Sequence, residues 1–388
     1  MSLFFCRTLH LERCDFLRSI PDMSSLQNLQ DFSCSYCHAL ITFDDSIGML
    51  GKLQILTIQN CSKLQIIPSL KLPSLEKLSL KGLDSIKSLS PMLDESLDKL
   101  KILKVSRCHD LKYIPPLKLP SLEKVTLEDL YSVESLSPML DESLDKLKIL
   151  RVGWCKHLKY IPLLKLASLE KLSLDGLSSI DSISPMLYES LDKLKILKVQ
   201  GCEHLIHIPP LKLASLEELT LWDLQSIKSL SPMLDESLDN LKILEVINCK
   251  HLVYIPPLKL ASLEKLTLSF LSSIESLSPM LDESLDNLKL VKVNDCPMLK
   301  TIPPLKLPSL EELTLSDLYS IKSLSPMFDD SLDKLKVLNL KCCDELWSFP
   351  PVMLPSLEIL DLSDCECLES FPPMVSQSMA KLKILRLK

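Results

Sequence analysis

Fourteen cysteines, three Cys-x-His pairs and a recurring Asp-Glu-Ser-Leu-Asp run are the residues of this chain whose types could do chemistry. Cys155-x-His157, Cys202-x-His204 and Cys249-x-His251 offer zinc-type ligands, but zinc holds all its ligands about 2.0–2.3 Å from one ion. These pairs recur 47 residues apart, as matching parts of separate repeats, so no metal centre is expected from them. Asp94, Glu95 and Asp98 could supply paired carboxylates for acid–base work. The cluster returns in most copies of the repeat, however, and reads as a solvated turn. The six glycines stand in no phosphate loop followed by Lys-Ser or Lys-Thr. Asn60-Cys61-Ser62 has the form of a glycosylation sequon, but its middle residue falls on a core position. No catalytic residue, cofactor or metal is expected, and the chain reads as a non-enzyme.

The elements behind these residues are set by a period. The phrase LKILKV, Leu100 to Val105, returns in edited form at Leu53, Leu147, Leu194, Leu241, Leu288, Leu335 and Leu382, always in steps of 47 residues. A fixed period of this kind is the signature of a solenoid. Each unit contains two turns. Leu53, Leu56, Ile58, Cys61, Leu64 and Ile67 follow LxxLxLxxCxxLxxI, and Leu75, Leu78, Leu80, Leu83, Ile86 and Leu89 repeat it with Leu in the Cys place. Extending the frame gives turns beginning at 6, 29, 53, 75, 100, 122, 147, 169, 194, 216, 241, 263, 288, 310, 335, 357 and 382. The expected fold is an α/β solenoid, a leucine-rich-repeat horseshoe of about 17 turns with a concave parallel β-sheet. It is read as one domain over 1–388, with double repeats from about 53 to 388 and single turns over 6–52.

Period-two alternation places Leu103 and Val105 in the core and Lys104 outside. Odd turns then run through Ile114-Pro115-Pro116, which excludes regular helix. Even turns run through Ser90-Pro91-Met92-Leu93-Asp94-Glu95, where Ser90 suits a helix N-cap and Pro91 the first helical position. One or two short helical turns are expected there, so the convex segments should be short helices or extended chain.

The cysteines follow the same frame. Cys14, Cys37, Cys61, Cys108, Cys155, Cys202, Cys249, Cys296, Cys343 and Cys365 all lie eight residues after the first apolar residue of their turn. Most are two turns, roughly 10 Å, apart, which is too far for a disulfide. Cys14/Cys37 and Cys343/Cys365 lie on adjacent turns and could approach each other. Buried thiols in a reducing, intracellular compartment are the expectation. A net charge of −7 without a basic stripe argues against nucleic acid as partner. No run of about 18 apolar residues suggests a membrane span.

Candidate binding residues emerge from comparing copies. The segment Ser88–Lys99 is repeated without change at Ser135–Lys146 and nearly so elsewhere. The pair of residues before the repeat cysteine changes freely: Ser106-Arg107, Gly153-Trp154, Gln200-Gly201, Ile247-Asn248, Asn294-Asp295. Even turns vary at the same place, as in Trp222-Asp223 and Ser269-Phe270. Variation concentrated at strand ends favours a recognition surface, with Trp154, Trp222 and Phe270 as aromatic anchors beside Arg107, Asp223 and Asp295. Lys104, Arg151, Lys198, Glu245 and Lys292 form a charged stripe on the same strands. The bland alternatives are partial burial of the aromatics, and lysines that merely keep a sheet soluble.

LKILKVSRCHDLKYIPP, Leu100 to Pro116, and LPSLEILDLSDCECLESFPP, Leu354 to Pro373, resemble the repeats of plant intracellular nucleotide-binding leucine-rich-repeat disease resistance proteins, leaning to the class with a TIR domain. The resemblance covers nearly the whole chain but only the repeat domain of that family. It implies sensing of pathogen or host proteins and restraint of a nucleotide-binding switch supplied in cis by receptor domains absent here. It also implies a cytoplasmic location, with the nucleus open as well. The repeat is already in register at Cys6 and stops one residue past the last strand, so a piece of a longer protein is expected. A substrate adaptor of a ubiquitin ligase is the alternative use of such an arc.

Overall fold

The computed structural model describes residues 5–93, 97–137, 139–140, 144–162, 166–183, 191–231, 233–234, 238–278, 280–281, 285–325, 327–328, 332–350, 352–369 and 379–387. The chain divides into two compact units, Met1–Leu194 and Lys195–Lys388.

The first unit carries eight strands in one parallel run: Thr8–Glu12, Asp31–Ser35, Ile55–Gln59, Lys77–Lys81, Ile102–Ser106, Lys124–Glu128, Ile149–Gly153 and Lys171–Asp175. The second carries nine: Ile196–Gln200, Glu218–Trp222, Ile243–Ile247, Lys265–Ser269, Leu290–Asn294, Glu312–Ser316, Val337–Lys341, Ile359–Leu362 and Ile384–Leu387. Pairing is in register throughout, so equivalent positions of successive turns sit side by side. Lys104 faces Thr126 and then Arg151, while Thr220 faces Glu245 and then Thr267. A parallel ladder stacks its strands at roughly 4.8 Å. That spacing turns each repeat position into a row.

The alternation expected from the sequence holds. Leu103, Val105, Leu150, Val152, Leu244 and Val246 are fully buried, and Lys104 and Arg151 are exposed. The repeat cysteines Cys108, Cys155, Cys202, Cys249, Cys296 and Cys343 are buried as well. Their thiols donate to the carbonyl two residues back, as from Cys155 Sγ to Gly153 O at 3.3 Å and from Cys108 Sγ to Ser106 O at 3.5 Å. Burial pushes Cys108, Cys155 and Cys296 up to about 12. These groups are filler and weak donors, not nucleophiles.

The return segments hold single turns and extended chain, the lower end of what the sequence led one to expect. Among the described residues the only helix is a short 3-10 turn, Asp45–Met49, where Asp44 Oδ1 accepts from Ser46 N at 3.0 Å. Ser90 does not cap a helix. Instead Ser88 Oγ accepts from Ser90 N at 3.0 Å, and a single bond from Leu93 N to Leu89 O closes one turn. The same pattern recurs at Leu140 and Leu136 in the first unit, and at Leu234/Leu230 and Leu281/Leu277 in the second. Leu89, Met92, Leu93 and Leu97 are all buried, so the described part of the segment follows the core. Asp94 and Glu95, where acidic helix-start residues were expected, lie outside the described residues. This burial also explains much of the constancy of Ser88–Lys99, since its copies preserve core leucines and methionines rather than an idle surface.

Candidate functional site

The variable pairs sit where each strand ends, and the backbone there is unusual. The second member of the pair has positive φ in every turn from the first to the sixteenth. In the first unit these residues are Arg13, Tyr36, Asn60, Gly82, Arg107, Asp129, Trp154 and Gly176; in the second they are Gly201, Asp223, Asn248, Phe270, Asp295, Asp317, Cys342 and Asp364. The left-handed conformation extends the ladder by one bond before the chain turns inward. Trp154 N donates to Asp175 O at 2.7 Å, and Phe270 N to Asn294 O at 2.9 Å. The next residue then drops into the core as the repeat Cys or Leu.

This geometry divides the row in two. Gly, Asn and Asp enter the left-handed region readily, and they fill ten of the sixteen places. Other residues lose about 1–2 kcal/mol there. Arg13, Tyr36, Arg107, Trp154, Phe270 and Cys342 occupy the position against that preference. Exchange among Gly, Asn and Asp is therefore backbone chemistry, whereas the six exceptions require another reason to be present.

Trp154 is 53% exposed, Trp222 48% and Phe270 49%. Side chains of the row lean on the following turn. The Trp154 ring lies over Gly176, where an added Cβ would come within 2.7 Å of the indole. Arg13 lies 5.9 Å from the centre of the Tyr36 ring, and Arg107 Nε is 3.7 Å from Asp129 Oδ2. In the second unit Asn248 Nδ2 donates to Asp223 Oδ1 at 2.8 Å, and the Gln225 amide donates to the same oxygen. Trp222 ends its strand in register with Ile247, and Ile247 with Ser269, so Trp222 lies two turns before the turn that presents Phe270. Asp295 holds the same place one turn beyond Phe270 and is half-buried. Sequence reasoning missed Tyr36 and Arg13, although the position before the repeat cysteine marks both.

The charged stripe is present but compensated. Arg151 binds Glu128 through Nε at 2.9 Å and Asp175 through Nη2 at 3.0 Å, and Lys104 stands 4.0 Å from Glu128. In the second unit Lys198 pairs with Glu218 at 2.5 Å, Glu245 with Lys265 at 2.7 Å, and Lys292 with Glu312 at 3.6 Å. Partners come from neighbouring turns, more than 19 residues away in sequence, and exposed pairs of this kind add little stability. They leave a mixed polar strip rather than a cationic one. At one place the pairing is strong: Asp361, almost fully buried, meets Lys341 at 3.2 Å and Arg386 at 3.0 Å. Burial opposes its ionisation, yet hydrogen bonds from Ser363, Arg386 and Lys341 hold the carboxyl down at about 2.

The Cys-x-His pairs offer no shared centre. Cys155, Cys202 and Cys249 point inward while His157, His204 and His251 are exposed. A different cysteine group is brought together: Cys34, Cys37 and Cys61, all buried, have their sulfurs within 4.8 Å of one another. Among the described residues no helix is long and apolar enough to cross a membrane.

In-register parallel strands, one per 22- to 25-residue turn with an inward Cys or Leu after each, define a leucine-rich-repeat domain. One stretch of its repeats is similar in sequence to plant disease resistance proteins. No family model matches the chain. It is 34% identical over 83 residues to the disease resistance protein RML1A of Arabidopsis thaliana, a stretch covering 21% of this chain and 8% of that protein. It is 34% identical over 83 residues to RPP4 of the same plant (21% and 7%) and 30% identical over 82 residues to its protein SUPPRESSOR OF npr1-1, CONSTITUTIVE 1 (21% and 6%). The matched stretch thus spans less than a tenth of each relative's length. Among solved structures, the chain aligns with TLR13 in its complex with ssRNA13 at 20% identity and a TM-score of 0.46, covering 89% of this chain and 63% of that one. It aligns with the leucine-rich-repeat domain of the type III effector XopL at 22% identity and a TM-score of 0.33, covering 74% and 75%.

Proposed function

We propose that this chain is a non-catalytic protein-recognition module of a plant immune receptor, working in the cytoplasm. It engages a pathogen or host protein through the strand-end row and the strand faces beside it. As in the receptors its repeats resemble, it restrains a nucleotide-binding switch carried by other domains. The observation that carries this reading is the retention of exposed, bulky side chains in a strained backbone conformation. Trp154 and Phe270 stand where Asn, Asp or Gly would relieve the strain. Backbone outliers of this kind point to function when packing does not account for them. Exposed aromatics are also the side chains that most often anchor protein interfaces. In the first unit Arg107 joins Trp154, with Lys104 and Arg151 as the polar strip beside them; in the second Trp222, Asp223 and Asp295 join Phe270, with Lys198, Glu245 and Lys292 as the strip that sets register with a partner.

A photo-crosslinking residue placed at Trp222 in the full chain, irradiated in plant extract, tests this. Protein adducts formed from position 222 and absent from Lys99, on the return segment, are the expected result. Adducts of equal yield from both positions, or none from 222, would refute the assigned face.

A further inference from the structure

The three-cysteine cluster is not explained by the repeat. Cys37 and Cys61 occupy the repeat-cysteine position of adjacent turns, but Cys34 does not. It fills the second inward place of the strand Asp31–Ser35, in register with Leu11 on one side and Ile58 on the other. At that place the other turns carry Leu, Ile or Val: Leu80, Val105, Leu127, Val152, Leu174 and onward. The chain departs from its own rule once, and the departure brings a third sulfur against two others.

The geometry points to a binding site for a soft, thiolate-preferring d10 cation, Zn2+ or Cu+, held by Cys34, Cys37 and Cys61. Cys34 and Cys61 Sγ are 3.8 Å apart, and all three sulfurs lie within 4.8 Å of one another. With metal–sulfur bonds of about 2.3 Å, sulfurs sharing one ion stand about 3.8–4.0 Å apart. The cluster therefore closes around an ion with movements under about 1 Å, well within rotamer adjustment. Cys34-Ser35-Tyr36-Cys37 supplies the two-residue spacing common among zinc cysteines. The donor set is all sulfur, which selects soft ions over Mg2+ or Ca2+. Three sulfurs suffice for Cu+, and a water would complete a tetrahedral Zn2+. Each thiol that binds exchanges its proton for a metal–sulfur bond, so loading releases up to three protons. The ion would clamp the second turn to the third.

The test uses the full chain, kept reduced and stripped with chelator, then titrated with Zn2+, with Cu+, and with Cd2+ as a spectroscopic probe of thiolate binding. One tight equivalent, sulfur-to-cadmium charge transfer and a raised Tm are expected. Cys34→Val restores the aliphatic residue of other turns, so it should fold yet lose the tight equivalent. Cys343→Ala, in the other adjacent-turn cysteine pair, should keep it. Preference between Zn2+ and Cu+ identifies the ion. No tight equivalent in the parent chain, or undiminished binding by a folded Cys34→Val, would overturn the site and leave buried thiols only. Neither result bears on the strand-end recognition face.

Discussion

Replacing Phe270 by Asn separates a binding residue from a packing residue. Asn occupies the same place at Asn60 and Asn248, with φ of 52° and 55°, against 57° at Phe270. The substitution should release much of the roughly 1–2 kcal/mol that a bulky residue loses in the left-handed region. It also forfeits the buried half of the ring, since Phe270 is 49% exposed. Full burial of a Phe is worth about 1.5–3 kcal/mol, so half of it comes to about 1 kcal/mol. The two terms oppose each other, and stability should change by less than about 1 kcal/mol. Leu271, the next residue, is fully buried, and Leu271→Ala should lose about 2–5 kcal/mol. Urea unfolding followed by circular dichroism measures both. If Phe270→Asn costs as much as Leu271→Ala, the ring is part of the packing and the strain argument for a recognition row collapses. Near-neutral stability means that the packing of the Phe270 ring does no more than offset its backbone strain.

Two further outcomes are expected. Gly176→Ala should destabilise by at least about 1–2 kcal/mol, because the backbone is left-handed and the new Cβ meets the Trp154 ring; a change in Trp154 fluorescence should accompany it, and an unchanged spectrum and Tm would contradict the packing of indole on glycine. Asp361, held at about 2 in the fold, titrates higher when unfolded, so its contribution is present above pH 4 and fades as pH falls through 2. That contribution is about 2 kcal/mol, and Asp361→Asn should remove it, so that acid-unfolding curves of parent and variant converge near pH 2; parallel curves would refute the assignment.

The strands and the core were legible because both follow from spacing alone: a residue such as Leu103 or Lys104 faces in or out by parity, and the period repeats the test many times. The row of left-handed residues was visible only in part. Its frequent Gly, Asn and Asp register a backbone angle that side-chain periodicity does not encode, so Trp154 and Phe270 were picked out for exposure rather than strain. Charge compensation was hidden because Arg151 finds Glu128 and Asp175 in other turns, and the stripe looked basic only when read along one half of the repeat. The return segment was legible in part. Ser90-Pro91 has the local chemistry of a helix start, but Leu93 and Leu97 both reach the core, which local propensity does not encode. Cys34 was readable in principle, as the one cysteine at the second inward place of a strand, but it falls outside the repeat-cysteine frame that orders Cys37 and Cys61.

The strand-end row also limits how far such a surface can diversify. Each bulky or basic residue placed there draws about 1–2 kcal/mol from the fold, and each turn bears that loss locally because solenoid turns contact only their neighbours. Five such residues together approach the whole net stability of an ordinary domain, about 5–15 kcal/mol. A repeat domain that gains bulky side chains at these places therefore moves toward unfolding with every addition. Its vocabulary is rationed: most turns must stay with Gly, Asn or Asp so that a few can carry a tryptophan.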